Sequence, residues 1–124
     1  MKFKRCNHCG NIITMIKDKG VPVMCCGEKM QEIEVGTIDA SIEKHVPVCR
    51  KEDNKVYVSV GSVEHPMVDE HYIEWIILET NKGIQKKELK PNNKPEAVFA
   101  ILDDEEVVRV YEYCNLHGLW SCEK

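Results

Sequence analysis

Residues 72–80 read YIEWIILET and are followed by the turn residues Asn81-Lys82-Gly83. β-Branched and aromatic side chains dominate the stretch, which is typical of a strand buried on at least one face. A polar turn with glycine after such a strand predicts a hairpin, whose second strand would cover residues 84–89. The stretch therefore predicts a fold built on antiparallel β-sheet.

Further strand patterns lie on both sides of this hairpin. Residues 55–60, KVYVSV, alternate apolar and less apolar side chains with period two, and residues 96–102 and 106–113 are two more β-type runs. The polar loop at residues 91–95, PNNKP, separates two of them. No segment carries a sustained helical stripe, so we predict an all-β protein whose main part is an immunoglobulin-like antiparallel β-sandwich.

The N-terminal residues have a different character. Gly10, Gly20, Pro22 and Gly27 interrupt a segment with only short apolar stretches. The whole chain of 124 residues has room for this segment and for one domain of about 90 residues. We predict a small metal module at residues 1–36 and the sandwich domain at residues 37–124. The module has so small a core that it needs a further stabilising link, such as a bound metal.

Four of the seven cysteines fall within this segment, in two sequence-close pairs: Cys6 with Cys9, and the adjacent Cys25 and Cys26. Four thiolates make a tetrahedral site that suits zinc or iron about equally, so ligand chemistry alone leaves the metal open. A zinc ribbon normally repeats the C-x2-C spacing, whereas consecutive cysteines require a tight and unusual turn. His8, between the first two cysteines, is predicted to be an exposed loop residue.

The pattern Cys6-Asn7-His8-Cys9-Gly10 followed by Cys25-Cys26-Gly27 resembles the iron-binding motif of desulforedoxin and of the N-terminal module of desulfoferrodoxins. This resemblance covers the first 35 or so residues. It implies a rubredoxin-type single iron held by the four thiolates.

A second group of potential ligands is dispersed over the rest of the chain. Cys114-Asn115-Leu116-His117 places a thiolate and an imidazole three residues apart, with no second cysteine pair to complete a zinc finger. The other candidates are His45, His65 and His71. Five ligands exceed the usual four of zinc, and on one redox metal they would leave one open position for substrate. The spacing leaves open whether these side chains converge.

The residues around these ligands resemble, in order, the three iron-site motifs of superoxide reductases. They are Glu43-Lys44-His45-Val46-Pro47, His65-Pro66-Met67-Val68-Asp69-Glu70-His71 and Cys114-Asn115-Leu116-His117-Gly118-Leu119-Trp120. Together with the N-terminal motif, the chain is similar to a two-iron desulfoferrodoxin. The resemblance implies one-electron reduction of superoxide to hydrogen peroxide without dioxygen, at an iron with His45, His65, His71 and His117 as equatorial ligands and Cys114 as the axial ligand.

The same resemblance implies roles for Lys44 and Glu43. Lys44 would attract the superoxide anion locally and orient a proton-donating water. Glu43 would occupy the open position of the resting iron and act as a gate. Trp120 is predicted to pack in the core, and Cys49 and Cys122 to be bystander thiols or, alternatively, a regulatory disulfide.

Composition limits the other function classes. The net charge is −4, with 17 basic and 21 acidic residues interspersed, which argues against nucleic acid as a partner. No apolar run is long enough for a membrane span or a signal peptide, so we predict a cytoplasmic protein with reduced thiols. The resemblance implies a rubredoxin or similar small donor and a homodimer. The alternative function is an electron-transfer or zinc-stabilised binding module in which the second cluster is incidental.

Overall fold

The computed structural model describes residues 1–36 and 42–123, and it divides the chain into two compact units, Met1–Glu34 and Val35–Lys124. Each unit has its own sheets and its own ligand cluster. The predicted boundary after residue 36 stays a prediction.

The first unit consists of short strands joined by tight turns. β1 and β2 pair antiparallel, β1 also pairs with β5, and β3 and β4 form a separate hairpin. The strands are β1 Phe3–Arg5, β2 Ile12–Thr14, β3 Met24–Cys25, β4 Glu28–Lys29 and β5 Gln31–Glu32. Phe3, Cys6 and Met30 are its buried apolar side chains among the described residues. So small a core gives little hydrophobic stabilisation, which is the situation in which a bound metal contributes most to folding.

The second unit is a sandwich of two antiparallel sheets. One sheet has the strand order β10-β7-β6 and the other β12-β11-β8-β9. The elements are α1 Ile42–His45, β6 Pro47–Glu52, β7 Lys55–Val60, β8 Ile73–Thr80, β9 Gly83–Glu88, β10 Glu96–Ala100, β11 Val107–Cys114 and β12 Gly118–Glu123. Val56, Val58 and Val60 of β7 and Ile76 and Leu78 of β8 are fully or almost fully buried in one core cluster. Period-two alternation places them on the inner faces of the two sheets.

The predicted fold class is confirmed: the protein is all-β, with a four-cysteine module followed by a β-sandwich. The predicted strand at residues 55–60 matches β7, and the hairpin at residues 72–89 corresponds to β8 and β9 with shifts of a residue or so. The strand predicted at residues 96–102 ends at Ala100, because Leu102 enters a turn in which its N–H donates to the Glu105 side chain.

Two strands of the second unit, β6 and β12, were not predicted from the sequence. Both are edge strands, and their sequences, PVCRKE and GLWSCE, lack a clear apolar alternation because an edge strand has one partner and more solvent. Both strands nevertheless begin just after predicted ligands, His45 and His117. No helix in residues 1–36 or 42–123 is long and apolar enough to cross a membrane.

Candidate metal centres

The first centre begins with a turn that wraps backbone N–H groups around sulfur. The Cys9 N–H donates to the Cys6 sulfur at 3.4 Å, and the Asn11 N–H donates to the Cys9 sulfur at 3.5 Å. The Gly10 N–H donates to the Cys6 carbonyl at 2.9 Å and closes the turn. The Cys9 N–H is the main cause that lowers the pKa of the buried Cys6 thiol to about 6. This turn therefore favours the thiolate form that binds a metal.

The adjacent cysteines reach one site because of a left-handed turn. Cys25 ends β3, and Cys26 and Gly27 form the two-residue link to β4, with φ values of 52° and 76°. Positive φ at both positions is typical of a type I′ hairpin turn, and it reorients the Cys26 side chain relative to Cys25. A non-glycine residue in this region stores strain, which the surrounding structure must offset. The left-handed conformation of Cys26 explains how two adjacent cysteines can bind the same metal.

The four sulfurs fit a tetrahedral metal. The four Sγ atoms of Cys6, Cys9, Cys25 and Cys26 lie within 4.8 Å of one another, and those of Cys9 and Cys25 are 3.7 Å apart. Metal–sulfur bonds of about 2.3 Å in a tetrahedron put sulfurs about 3.8 Å apart. Asn11 Nδ2 also donates to Cys25 Sγ at 3.7 Å. His8 is exposed, as predicted.

The second centre is a square of four imidazoles. Ring centroids of neighbouring histidines are 4.6 Å apart for His45 and His65, 4.6 Å for His65 and His71, 5.0 Å for His71 and His117, and 4.8 Å for His117 and His45. These neighbouring rings are nearly perpendicular, at 78–89°. His45 and His71 lie opposite each other, with centroids 6.4 Å apart and planes 27° apart.

The nitrogen atoms converge on one point of this square. His45 Nε2 lies 3.1 Å from His65 Nε2 and 3.0 Å from His117 Nδ1. Two nitrogens bound at right angles about 2.1 Å from one metal would be about 3.0 Å apart. His71 Nε2 is buried and has no hydrogen-bond partner among the described residues. Because an unpaired buried nitrogen costs free energy, this atom is best explained by a ligand that the protein itself does not supply.

The fifth donor is the sulfur of Cys114, which is fully buried at the end of β11. Its Sγ and one nitrogen each of His45, His65 and His71 lie within 4.8 Å of one another, and it is 3.9 Å from His117 Nδ1. Burial raises the pKa of Cys114, and the backbone N–H groups of Leu116 and His117 act in the opposite direction. Four nitrogens and one thiolate therefore form a donor set that fits a redox metal such as iron.

His65 and His71 are held neutral, as metal binding requires. Burial lowers the pKa of His65 to about 4, and it is also the main cause that lowers the pKa of His71. His65 Nδ1 lies 2.7 Å from the Pro66 carbonyl, so the ring donates there and leaves Nε2 free for a metal. At neutral pH both rings are therefore available as ligands.

The β11–β12 turn places Cys114 and His117 together. Cys114 pairs with Gly118, and Gly118 has φ of 77°, so a three-residue loop closes the hairpin with glycine in the left-handed region. Asn115 ties this loop to the segment of His71: its Oδ1 accepts from the Tyr72 N–H at 3.0 Å and its Nδ2 donates to the Glu70 carbonyl at 3.0 Å. Separate segments of the chain are thereby joined at one end of the sandwich.

Gly61 allows a turn of the chain to lie close against α1, the helix that carries Glu43, Lys44 and His45. Gly61 has φ of 84°, and a Cβ placed there would lie 2.7 Å from the Glu43 carbonyl oxygen. The same carbonyl accepts from the Val63 N–H at 2.9 Å. Only glycine allows the turn after β7 to approach α1 so closely.

Lys44 and Glu43 are both exposed at α1, next to the buried His45. The positive charge of Lys44 contributes to lowering the pKa of His71, although it is a smaller cause than burial. The ammonium group therefore acts on the second centre through space. The structure places both residues beside this centre, and their catalytic roles stay predictions.

Two residues of this region were missed by the sequence analysis, Gly61 and Glu112. Glu112 lies on the inner face of β11 between Val110 and Cys114; it is fully buried, and neither carboxyl oxygen has a hydrogen-bond partner within the described residues. Burial raises its pKa to about 9, so it is protonated at neutral pH. A carboxylate at a position where period-two alternation calls for an apolar side chain was the signal that could have identified it.

Comparisons with known proteins agree with this architecture. The desulfoferrodoxin family model matches residues 37–123. The desulfoferrodoxin of Nitratidesulfovibrio vulgaris is 50% identical over 119 residues, which are 96% of this chain and 93% of that protein. The desulfoferrodoxin homolog of Archaeoglobus fulgidus is 46% identical over 98% of this chain and 95% of its own length. The crystal structure of the superoxide reductase from Treponema pallidum is 43% identical, with a TM-score of 0.83 over 99% of this chain and 100% of that chain.

The fold and the two donor groups define a metalloprotein with one four-cysteine centre and one histidine–cysteine centre. The chain belongs to the desulfoferrodoxin family. The resemblance inferred from the sequence and the prediction of two iron centres are confirmed. The ligand role of each single residue stays a prediction.

Proposed function

We propose that this chain reduces superoxide at an iron held by the second centre, whose ligands are His45, His65, His71, His117 and Cys114. The first centre would hold another iron through Cys6, Cys9, Cys25 and Cys26. The convergence of four imidazoles and one buried thiol is the observation that carries the proposal. It also argues against the alternative of an electron-transfer or zinc-stabilised binding module, in which the second cluster would be incidental.

The chain is a superoxide reductase. Each superoxide takes up one electron and two protons and becomes hydrogen peroxide, so no dioxygen forms. An iron held by these residues would supply the electron.

Cys114 would control how readily the second centre gives up that electron. A thiolate donates electron density strongly, and burial of Cys114 keeps water away from the sulfur. The N–H groups of Leu116 and His117 moderate this donation, since hydrogen bonds to sulfur stabilise its negative charge.

Lys44 would attract the anion and hold a proton-donating water near it. An exposed ammonium group close enough to affect His71 provides a local positive field in a chain of net charge −4. Glu43, the preceding residue, would gate the open position. Its backbone carbonyl is held by the Val63 N–H at 2.9 Å and the Ser62 hydroxyl at 3.3 Å, which fixes the start of α1.

The first centre would receive electrons from a small rubredoxin-like donor. Cys9 and Cys26 are exposed, so two sulfurs of this centre reach the surface where such a donor would dock.

The chain would form a homodimer and would be located in the cytoplasm. Ile16, Val21 and Met24 are exposed apolar side chains on the first unit, and pairing two chains would cover such residues. None of the seven cysteines, all of which lie in the described residues, is joined in a disulfide, in keeping with a reducing compartment.

The test is anaerobic purification followed by metal analysis and a stepwise reduction spectrum. We expect two irons per chain, with two visible chromophores that bleach at different potentials, and consumption of superoxide with peroxide as product. Zinc at both sites would contradict the proposal, as would dioxygen formed in equal amount with peroxide.

A further inference from the structure

Two cysteines outside both centres meet between the two sheets. Cys49 lies on β6 and Cys122 on β12, and both are half-buried and packed against the hydrophobic core cluster. Cys49 pairs with Val58 and Cys122 with Val110, two valines of that cluster, so both thiols lie on the inner faces of their sheets. β6 and β12 are edge strands of opposite sheets and lie alongside each other. The pair therefore lies where one bond would join the two sheets.

The position of the pair relates it to the catalytic centre. β6 starts two residues after His45 and β12 starts one residue after His117, and these two histidines are in contact at 3.0 Å. Cys49 is two residues beyond the first residue of β6 and Cys122 four beyond the first of β12, which corresponds to about 7 Å and about 13 Å at the usual rise of a strand. A bond between them would tie together the two strands that lead away from the centre.

We propose that Cys49 and Cys122 are a peroxide-responsive thiol pair that forms a reversible disulfide across the sandwich. The proposal rests on the proposed function for its oxidant, because hydrogen peroxide is the product of superoxide reduction. The other five cysteines belong to the two metal centres, so this is the pair of thiols left for such chemistry.

The chemistry balances with peroxide as the single oxidant. The Cys49 thiolate attacks one peroxide oxygen, the O–O bond breaks, and the departing hydroxide takes a proton to become water. The Cys122 sulfur then attacks the sulfur of the resulting sulfenic acid, the S–O bond breaks, and the hydroxide leaves with the Cys122 proton as a second water. The two thiols lose two electrons in total, and peroxide gains them.

The environments of the two thiols assign these roles. Burial is the main cause that raises the pKa of Cys122 to about 12, and the neighbouring Cys49 raises it further. A thiol that stays protonated is a poor first nucleophile but is well placed to resolve a sulfenic acid beside it. Cys49 is therefore the attacking residue and Cys122 the resolving residue.

Peptide mapping of the iron-loaded protein tests the proposal directly. The reduced protein is treated with a few equivalents of hydrogen peroxide, denatured, alkylated and digested with trypsin and chymotrypsin. Cleavage isolates Cys49 in residues 45–50, HVPVCR, and Cys122 in residues 121–124, SCEK. We expect these two peptides to appear as one disulfide-linked species that dithiothreitol removes. The closed bond should raise the melting temperature of the protein by on the order of 10 °C.

Matched variants separate the two roles. Cys122→Ser should give no linked peptide, but its Cys49 should be trapped as a sulfenic acid by dimedone; Cys49→Ser should give neither product. Recovery of both wild-type peptides fully alkylated after peroxide would overturn the proposal, and so would links only to other cysteines. Because peroxide is added directly, such a failure is distinct from failure of the proposed function, which is measured as superoxide consumption by the same preparation.

Discussion

The indole of Trp120 stacks on the imidazole of His45, with ring centroids 5.1 Å apart and planes 30° apart. Its Nε1 also donates to the backbone carbonyl of His117 at 2.9 Å. The side chain predicted to pack in the core is indeed buried, but it also contacts two of the proposed iron ligands. It therefore connects core packing to the geometry of the second centre.

Two substitutions of Trp120 should separate these contacts. Trp120→Phe keeps an aromatic face for His45 and loses the hydrogen bond, so we expect about 1 kcal/mol less unfolding free energy and nearly full iron content. Trp120→Leu loses the stacking too and should cost about 3 kcal/mol, with faster loss of iron to a chelator. Urea unfolding and chelator kinetics measure both effects. Trp75→Leu, at a tryptophan that stacks on Tyr113, is the matched control; iron loss from this control as fast as from Trp120→Leu would contradict a specific role of Trp120.

Cys114→Ser should remove the sulfur-to-iron charge-transfer absorption of the oxidised second centre. The absorption of the four-cysteine centre should remain, because the two clusters share no ligand. Visible spectra of the oxidised proteins, normalised to iron content, measure the change. Cys122→Ser, which alters another half-buried thiol near the core, should leave both absorptions in place. An unchanged spectrum in Cys114→Ser would exclude this residue as a ligand.

Lys44→Ala should slow the reaction with superoxide by roughly tenfold at low ionic strength and weaken its salt dependence. The reason is the loss of a positive charge close to the open side of the centre. Pulse radiolysis over a range of salt concentrations measures both quantities. Lys55→Ala is the control, because it makes the same change in net charge at a distant site. Lys55 begins β7, about 17 Å along the strand from its other end, which lies next to α1. Equal slowing in the two variants would indicate only a global charge effect.

Cys26→Ser should abolish iron binding at the first centre, because the left-handed turn has no other donor at that position. If the first iron is not an obligatory relay, peroxide formation with an artificial reductant should continue at a rate close to that of the wild type. Iron content and superoxide reduction in the same sample give the answer. Loss of activity while the second centre keeps its iron and its spectrum would establish an obligatory relay instead.

Glu105 should make the second unit more stable at neutral pH than in acid. The Thr80 hydroxyl at 2.5 Å and the Leu102 N–H at 3.0 Å hold the pKa of this carboxyl below its usual value. A lowered pKa adds stability above the unfolded value, and this stability is lost as the pH falls through the folded value. The difference in unfolding free energy between wild type and Glu105→Gln should therefore be largest near pH 7 and shrink below about pH 4.5. Urea titrations at several pH values measure it, with the exposed Asp103→Asn as control; a difference independent of pH would contradict this assignment.

Much of the fold could be predicted because its central strands carry strong local patterns. β7 and β8 are rich in β-branched and aromatic residues, which alternate in β7 and are buried on both faces in β8. Their sequences alone therefore indicate strands. β6 and β12 were not predicted, because an edge strand is paired on one side only and its sequence carries a weaker apolar alternation. The approach of Gly61 to Glu43 was not predicted either, because it depends on a contact between α1 and the turn after β7, which are distant in the chain.

The sequence by itself determined which residues can bind metal: two pairs of cysteines close in the chain, and motifs around the remaining histidines and Cys114. Ligand type and local spacing are properties of the chain, and they were sufficient for the family and the two irons. Only the tertiary structure decided that four imidazoles from separate segments form a square beside one sulfur, and that Cys49 and Cys122 pack against one core on neighbouring edge strands of the two sheets. These relationships arise when the sheets pack, because burial of the core brings together residues that no local pattern connects.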